Sequence, residues 1–300
     1  MNICLAVVST CRLFCFGLGY SGRVLAERLR AKGWAIAGTT RAPDAVAALR
    51  AAGIESYLFD RGRPLDDAAA ALAGATHVLS SVPPDADGDS VLDHHAEDIA
   101  AVGGLKWLGY LSTTGVYGDR GGGWVDEDSV LEPTGERGRR RVAAESAWQG
   151  LAAAHGRPLH IFRLAGIYGP GRNAIASVRA GSAKRIDKPG QVFSRIHVTD
   201  IAAVLEASMT RPNPGRIYNV CDDDPAPPAE VIAYASGLLG QPPPPLVPFA
   251  EAELSEMGRS FYRDNKRVHN DRIKSELGID LTYTDYKAGL KALLAAEGGR

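Results

Sequence analysis

The chain has 300 residues, 45% of them hydrophobic and 23% charged, the balance of a soluble globular protein, which excludes intrinsic disorder, collagen-like repeats and a coiled coil. Lys and Arg together number 34 and Asp and Glu 35, for a net charge of -1, so no global field attracts nucleic acid or an anionic membrane. The length allows one large core or two unequal lobes.

In chain order, Met1 to Cys11 is apolar, with no basic flank and no clear cleavage site, and it is not read as a signal peptide. Leu13 to Gly17 reads as a strand and Ser21 to Lys32 as a helix, with Val24, Leu25 and Leu29 on one side. Further strands are expected at Ala35 to Thr40, Ser56 to Asp60, His77 to Val82, Trp107 to Ser112 and Leu159 to Leu164. Helices are expected between them, at Pro43 to Ala52, Asp89 to Val102 and Gly135 to Ala154. Strands alternating with helices imply right-handed crossovers and an α/β fold, a Rossmann-type doubly wound parallel sheet. After Gly169 Pro and Gly become frequent. A helix at Thr199 to Met209 and a strand at Arg216 to Val220 look like a return to the sheet, and Pro225 to Pro248 surrounds a single helix, Ala229 to Leu239. Residues 1–169 are therefore expected to form a dinucleotide-binding domain, with 196–222 returning to it. Residues 170–195 and 223–300 form a small discontinuous C-terminal substrate lobe.

Phe16-Gly17-Leu18-Gly19-Tyr20-Ser21-Gly22 is a Gly-x-Gly-x-x-Gly turn between the first strand and first helix. Gly17 permits the tight turn, Gly19 lets the backbone approach a pyrophosphate, and Gly22 lets the helix pack on the strand. The free N–H groups at the helix start, carried by Tyr20 and Ser21, favour the phosphates. About twenty residues on, an NAD enzyme places an acid against the ribose 2′-hydroxyl. This chain has Thr39-Thr40-Arg41, and hydroxyls with a guanidinium suit the 2′-phosphate of NADP. Asp44 follows Pro43 and reads as a helix cap, whereas Asp60, ending the third strand, reads as either an adenine-edge contact or a turn carboxylate.

Four further segments carry a resemblance: Ser112-Thr113-Thr114-Gly115-Val116-Tyr117-Gly118, Arg163-Leu164-Ala165-Gly166-Ile167-Tyr168-Gly169-Pro170-Gly171, His197-Val198-Thr199-Asp200 and Ile217-Tyr218-Asn219-Val220. With the glycine turn they resemble, in order, the motifs of the extended short-chain dehydrogenase/reductase family, the epimerase and dehydratase type. The resemblance implies catalysis by a Ser/Thr, a Tyr and a Lys, the last two spaced Tyr-x-x-x-Lys. Thr113 matches the first. Aligning Glu132-Pro133 and Ala144-Glu145 with the family pattern puts Arg137 at the Tyr position and Arg141 at the Lys position. The helical spacing survives, but a guanidinium stays protonated and cannot act as the base. The resemblance implies that Arg141 can still hold the nicotinamide ribose by hydrogen bonds, as the family's Lys does. The chain therefore resembles an atypical branch. Thr114 and Gly115 stand where sugar dehydratases carry Asp-Glu, and Phe193 stands where epimerases carry a diphosphate-binding Arg, with Arg195 offset by two.

Tyr117 and Tyr168 are the candidate replacements for the lost phenol, and packing is the preferred reading of both. Arg137, Arg139, Arg140 and Arg141 form the dense basic run, either a solvated face balanced by Glu136 and Glu145 or, through Arg137 and Arg141, an anion site. His197 reads as a hydrogen-bonding residue between lobes, His94-His95 lacks a third metal ligand, and Gly121-Gly122-Gly123-Trp124 reads as a candidate lid. Cys4, Cys11, Cys15 and Cys221 form no Cys-x-x-Cys pair, which suits free thiols in a reducing cytoplasm. The uncharged stretch Val231 to Ala250 contains Pro242 to Pro245 and cannot span a bilayer as one helix. The expected function is an NADP-dependent oxidoreductase, epimerase or reductase acting on a small polar substrate. Thr113 would polarise the reacting oxygen, and Tyr117 or a substrate group would manage the proton. The alternative is a non-catalytic NADP-binding sensor or scaffold. A monomer or weak homodimer is expected, because the Arg run lies on a helix the family uses for pairing and like charges across a two-fold axis repel.

Overall fold

The structure is a computed structural model, and it describes residues 11–298. The apolar N-terminal segment through residue 10, with Cys4 in it, and residues 299–300 lie outside the described residues. The first half runs β1 (Arg12–Phe16), α1 (Tyr20–Arg30), β2 (Ala35–Thr40), α2 (Pro43–Ala51), β3 (Glu55–Leu58), α3 (Ala68–Leu72), β4 (His77–Ser80), α4 (Ser90–Ala101), β5 (Trp107–Thr113), β6 (Trp124–Val125) and α5 (Glu136–His155). It continues through β7 (Leu159–Leu164), β8 (Gly166–Tyr168), α6 (Ala174–Arg179), β9 (Arg185–Asp187), β10 (Arg195–His197), α7 (Val198–Thr210) and β11 (Ile217–Val220). The last stretch holds α8 (Pro228–Leu238), β12 (Leu246–Pro248), α9 (Glu256–Phe261), β13 (Arg267–Val268), α10 (Asp271–Leu277) and α11 (Tyr286–Gly298).

Seven strands form one sheet in the order β11-β7-β5-β4-β1-β2-β3, every pairing parallel. Alternation along the strands builds a core on each face. Leu13 and Cys15 of β1, Trp107 and Leu111 of β5, and Phe162 and Leu164 of β7 pack with α1, α7 and α10. Phe14 and Phe16, Leu108 and Tyr110, and Leu159 and Ile161 pack on the other face with α3, α4 and α5. Gly109 leaves room for the Trp107 indole, which a Cβ would strike at 2.0 Å. Strand order reverses between β1 and β4, so the crevice outside their C-terminal ends is the topological switch point where such sheets bind ligands.

The second lobe has its own small cores, one around Tyr168, Ile175, Ala235 and Leu290, the other around Ile186, Ala252 and Tyr262. One boundary changes. Ile273 and Leu277 of α10, with Ile279 and Leu281, belong to the core of the main sheet, and β13 pairs with β6. The segment 223–300 is therefore not all second lobe, because its apolar residues cover α7 and β11. The glycine-rich loop is likewise no lid. Arg120 and Gly122 donate their N–H groups to Asn265 O, each at 2.9 Å, and Trp124 stacks on His269 at 4.5 Å, which ties the loop to the C-terminal segment. α11 and the short α6, α9 and α10 were not expected from the sequence. Among the described residues no helix is long and apolar enough to cross a membrane.

Candidate functional site

The turn between β1 and α1 is built as its glycines require. Gly17 has φ +85°, and a Cβ there would meet Ser81 Oγ at 2.9 Å; a Cβ on Gly22 would meet Gly17 O at 3.0 Å and Cys15 Sγ at 3.1 Å. At Gly19 the nearest atom to a Cβ is 4.0 Å away, so the backbone stands open where a pyrophosphate must approach. The α1 N-terminus has neither a side-chain cap nor an acid in its first turn, leaving its N–H groups and positive dipole end for an anion. These features fit a dinucleotide.

Thr39, by contrast, is buried, and its Oγ1 accepts from Gly17 N–H at 2.8 Å. Its burial corrects its assignment as a 2′-phosphate contact: the hydroxyl lies beneath the turn, out of reach of a phosphate. Thr40 Oγ1 accepts from Ala42 N–H at 3.3 Å, and Arg41 is exposed. Asp60 pairs with Arg63 at 2.7 Å and accepts from Gly62 N–H at 3.1 Å, so its carboxylate is engaged in its own turn. Arg63 Nη2 also donates to Arg41 O at 3.3 Å. Sequence spacing pointed to Arg41 and overlooked Arg63, which the Asp60 turn brings beside it.

From the glycine turn a cavity of about 750 Å³ runs into the second lobe, a volume ordinary for ligand sites. Gly19, Tyr20, Ser21, Thr113, Arg137 and Arg141 all line it. A second cavity of about 440 Å³ adjoins it and shares Thr113, Arg137 and Arg141. Five cations, Arg137, Arg141, Arg172, Arg195 and Lys266, face one carboxylate, Asp264, in the main cavity. Arg172 stacks over the Tyr20 ring at 5.9 Å, and Tyr20 donates its hydroxyl to Pro170 O at 3.0 Å, which straps the glycine turn to the second lobe. Arg172 and Lys266 stand in no motif with a fixed spacing from the glycine turn, and only tertiary folding brings them to it.

Thr113 ends β5, and its Oγ1 accepts from Gly115 N–H at 3.1 Å. The hydroxyl proton is thereby left to donate into the cavity. Arg137 and Arg141 lie one turn apart on α5. Arg141 Nη1 donates to Tyr110 OH at 3.2 Å and to Leu111 O. Arg137 lies over the Phe261 ring at 5.7 Å, is exposed, and has no hydrogen-bond or ion-pair partner among the described residues. Arg139 and Arg140 instead pair with Glu136, at 2.9 and 3.2 Å, so the basic run divides into a solvated face and a cavity face.

Tyr117 is not in the cavity, which corrects its candidacy as a proton carrier. It is fully buried, donates to Asn219 Oδ1 at 2.7 Å and accepts from Arg163 Nη1 at 3.0 Å. Burial pushes its pKa up to about 12, the wrong direction for a base near neutrality. Arg163 also holds Glu145 at 2.7 Å, both side chains 3% exposed, and Ser112 donates to Glu145 Oε1. The hydroxyl-rich strand end and the Arg-containing segment thus meet in a buried scaffold beneath Thr113. Tyr168 lines the cavity but donates to Asp285 O at 3.3 Å, and burial raises its pKa. His197 Nδ1 accepts from Thr199 N–H at 3.2 Å, and burial lowers its pKa to about 4, so the ring is neutral. Asp200 makes the link to the second lobe, accepting from the N–H groups of Thr282 and Tyr283 at 2.8 and 3.1 Å. His95 Nε2 accepts from Leu65 N–H at 3.1 Å, with Nδ1 2.9 Å from Asp98.

Known proteins share this architecture over nearly the whole chain. The solved structure of a conserved protein from Silicibacter pomeroyi is 54% identical, superposes with a TM-score of 0.87, and is matched over 96% of this chain and 99% of its own. Protein YeeZ of Escherichia coli (strain K12) is 31% identical over 288 residues, 90% of this chain and 95% of that protein. The 3-diazoavenalumate denitrifying reductase of a Streptomyces species is 25% identical over 91% of this chain and 96% of its own length. The family model for NAD dependent epimerase/dehydratases matches residues 17–221, from the first glycine of the turn to the end of the last sheet strand. The chain belongs to the NAD-dependent epimerase/dehydratase family.

Proposed function

We propose that the protein is an NADP-preferring oxidoreductase acting on a small, polar, anionic substrate. The observation that carries this reading is the excess of five cations over one carboxylate in a cavity that begins at the dinucleotide turn. A bound nicotinamide supplies the hydride donor or acceptor. Gly17, Gly19, Tyr20, Ser21 and Gly22 form the pyrophosphate cradle, Arg172 adds a cation beside it, and Arg41 with Arg63 selects the 2′-phosphate. Arg141, fixed by Leu111 O and Tyr110 OH, presents its remaining N–H groups to the ribose. Thr113 donates a hydrogen bond to the oxygen on which charge develops, a contribution of about 2.7–4 kcal/mol in favourable sites. Arg137 holds substrate charge and cannot take a proton. A related protein over most of the chain is named a reductase, which supports reduction over epimerisation.

The second reading, a non-catalytic NADP-binding sensor or scaffold, is favoured by one observation, that Tyr117 lies outside the cavity, and agrees with the motif alignment that sets Arg137 and Arg141 at the family's Tyr and Lys positions. NADPH consumption over a panel of anionic carbonyl compounds, with Thr113→Val as control, separates the two. The oxidoreductase reading expects turnover that falls about a hundredfold in Thr113→Val. Tight NADPH binding with no turnover on the whole panel would establish the sensor reading. The protein acts in the cytoplasm, with Cys15 and Cys221 buried as free thiols, and as a monomer or weak homodimer whose α5 face carries Arg139 and Arg140.

A further inference from the structure

The second-lobe wall of the cavity carries features that a dinucleotide does not use. The Lys266 side chain is only 10% exposed. Its Nζ donates to Gly118 O at 2.8 Å and to Asp264 Oδ2 at 3.2 Å. An ammonium has three N–H donors, so one remains for the cavity that Lys266 lines. Asp264 offers it little more, because its other oxygen accepts from the Thr134 hydroxyl. Asp264 balances one of the five cations, and Arg172 sits at the glycine-turn end over Tyr20. The cation Asp264 balances is Lys266 itself, so at the far end Arg137 is the charge without a carboxylate partner among the described residues, and Lys266 adds one free N–H donor.

Beside these cations the wall is apolar, Arg137 lying over the Phe261 ring at 5.7 Å. Phe261 and Met257 are 55% and 61% exposed. Both stand on α9, which buries none of its residues, and both line the adjoining cavity. Phe261 also lines the main cavity beside Phe193 and Tyr262, whose rings meet edge to face at 5.3 Å. Large apolar side chains left exposed at a cavity wall mark contact with a ligand's apolar surface. The hydroxyls of a sugar would leave this wall wet and its own donors unmatched.

We propose that the substrate is an amphipathic carboxylate, its flat apolar body lying against Phe193 and Phe261 and its carboxylate held by Lys266 and Arg137. This rests on reading the cavity as the substrate site of the oxidoreductase. A carboxylate takes the free N–H of Lys266 and the fork of Arg137, and a planar body stacks on the exposed ring without hydroxyls to satisfy.

The test is calorimetric titration with cinnamate, its uncharged amide and UDP-glucose, with and without saturating NADPH. Cinnamate is expected to bind, the amide about tenfold or more weaker, and UDP-glucose weaker still. Lys266→Met and Phe261→Ser should each weaken cinnamate about tenfold while NADPH affinity stays within about twofold. Should Lys266→Met fail to fold, Arg137→Gln on the exposed face of α5 gives the same readout. Equal binding of amide and acid, tighter binding of UDP-glucose, or unchanged cinnamate affinity in the variants would overturn the proposal. Cinnamate bound with this acid-over-amide preference but no NADPH binding would support it and overturn the oxidoreductase reading instead.

Discussion

Replacing Tyr117 with Phe separates a structural phenol from a catalytic one. The hydroxyl gives one neutral hydrogen bond, to Asn219 at 2.7 Å, and receives one from the Arg163 guanidinium at 3.0 Å. A neutral buried bond contributes about 0.5–1.5 kcal/mol and one to a charged group about 1.5–3 kcal/mol. Tyr117→Phe should therefore cost about 2–4 kcal/mol, because no water reaches the site to replace either bond. At roughly 2–4 °C per kcal/mol for a chain of this class, the melting temperature should fall by about 4–16 °C. NADPH affinity should stay within about twofold, since Tyr117 lines neither cavity. The assay is differential scanning calorimetry with a cofactor titration on the same sample. An unchanged melting temperature together with lost turnover would refute the reasoning and restore Tyr117 as a proton carrier.

Arg41→Ala should remove most of an NADPH-over-NADH preference of about ten- to a hundredfold, and Arg63→Ala should remove part of it; equal affinities in the parent protein, measured by calorimetry, would sink the 2′-phosphate assignment. Gly19→Val should abolish dinucleotide binding with the circular dichroism spectrum intact, whereas Gly22→Val should unfold the turn, because its side chain would meet Gly17 O and Cys15 Sγ; equal stability of the two variants would contradict this. His77, His160 and His197 are each driven down to about 4 by burial, so the unfolded chain binds more protons between about pH 6.5 and 4, and stability should be full above about pH 6.5 and fall steadily below it. Asp222 has the opposite sign. It is buried with neither oxygen partnered among the described residues and raised to about 8, so stability should drop as pH rises toward 8, and Asp222→Asn should flatten that drop in a urea titration series.

The sheet was legible because its signals are local. β2 and β7 fall where short β-type runs between helical stretches put them, and the glycine turn lies where its spacing put it. What failed is what depends on which face a side chain takes. Thr39 and Thr40 are neighbours in a strand, so pleating sends one hydroxyl under the turn and leaves the other at the surface. The sequence shows a pair of hydroxyls and cannot show that the first lies beneath the turn, accepting from Gly17 N–H. Tyr117, read first as a packing residue, leaves the cavity for a related reason. It stands four residues after Thr113, but the short 3-10 turn over Thr114–Tyr117 carries it inward to Arg163, away from the cavity.

The second lobe was illegible for a different reason. Its site residues come from separate short elements, none with enough periodicity to announce itself. Lys266 is one of several cations in a polar stretch, and nothing near it in sequence shows that Gly118, far earlier in the chain, offers it a carbonyl. Its burial follows from β13 pairing with β6, a two-residue contact that brings the C-terminal segment against the loop after β5. The same contact removes the glycine-rich loop from the role of lid. A cation-lined cavity therefore arises where two weak local signals meet, and the charge that would select the substrate becomes visible only once Gly118 and Lys266 stand side by side.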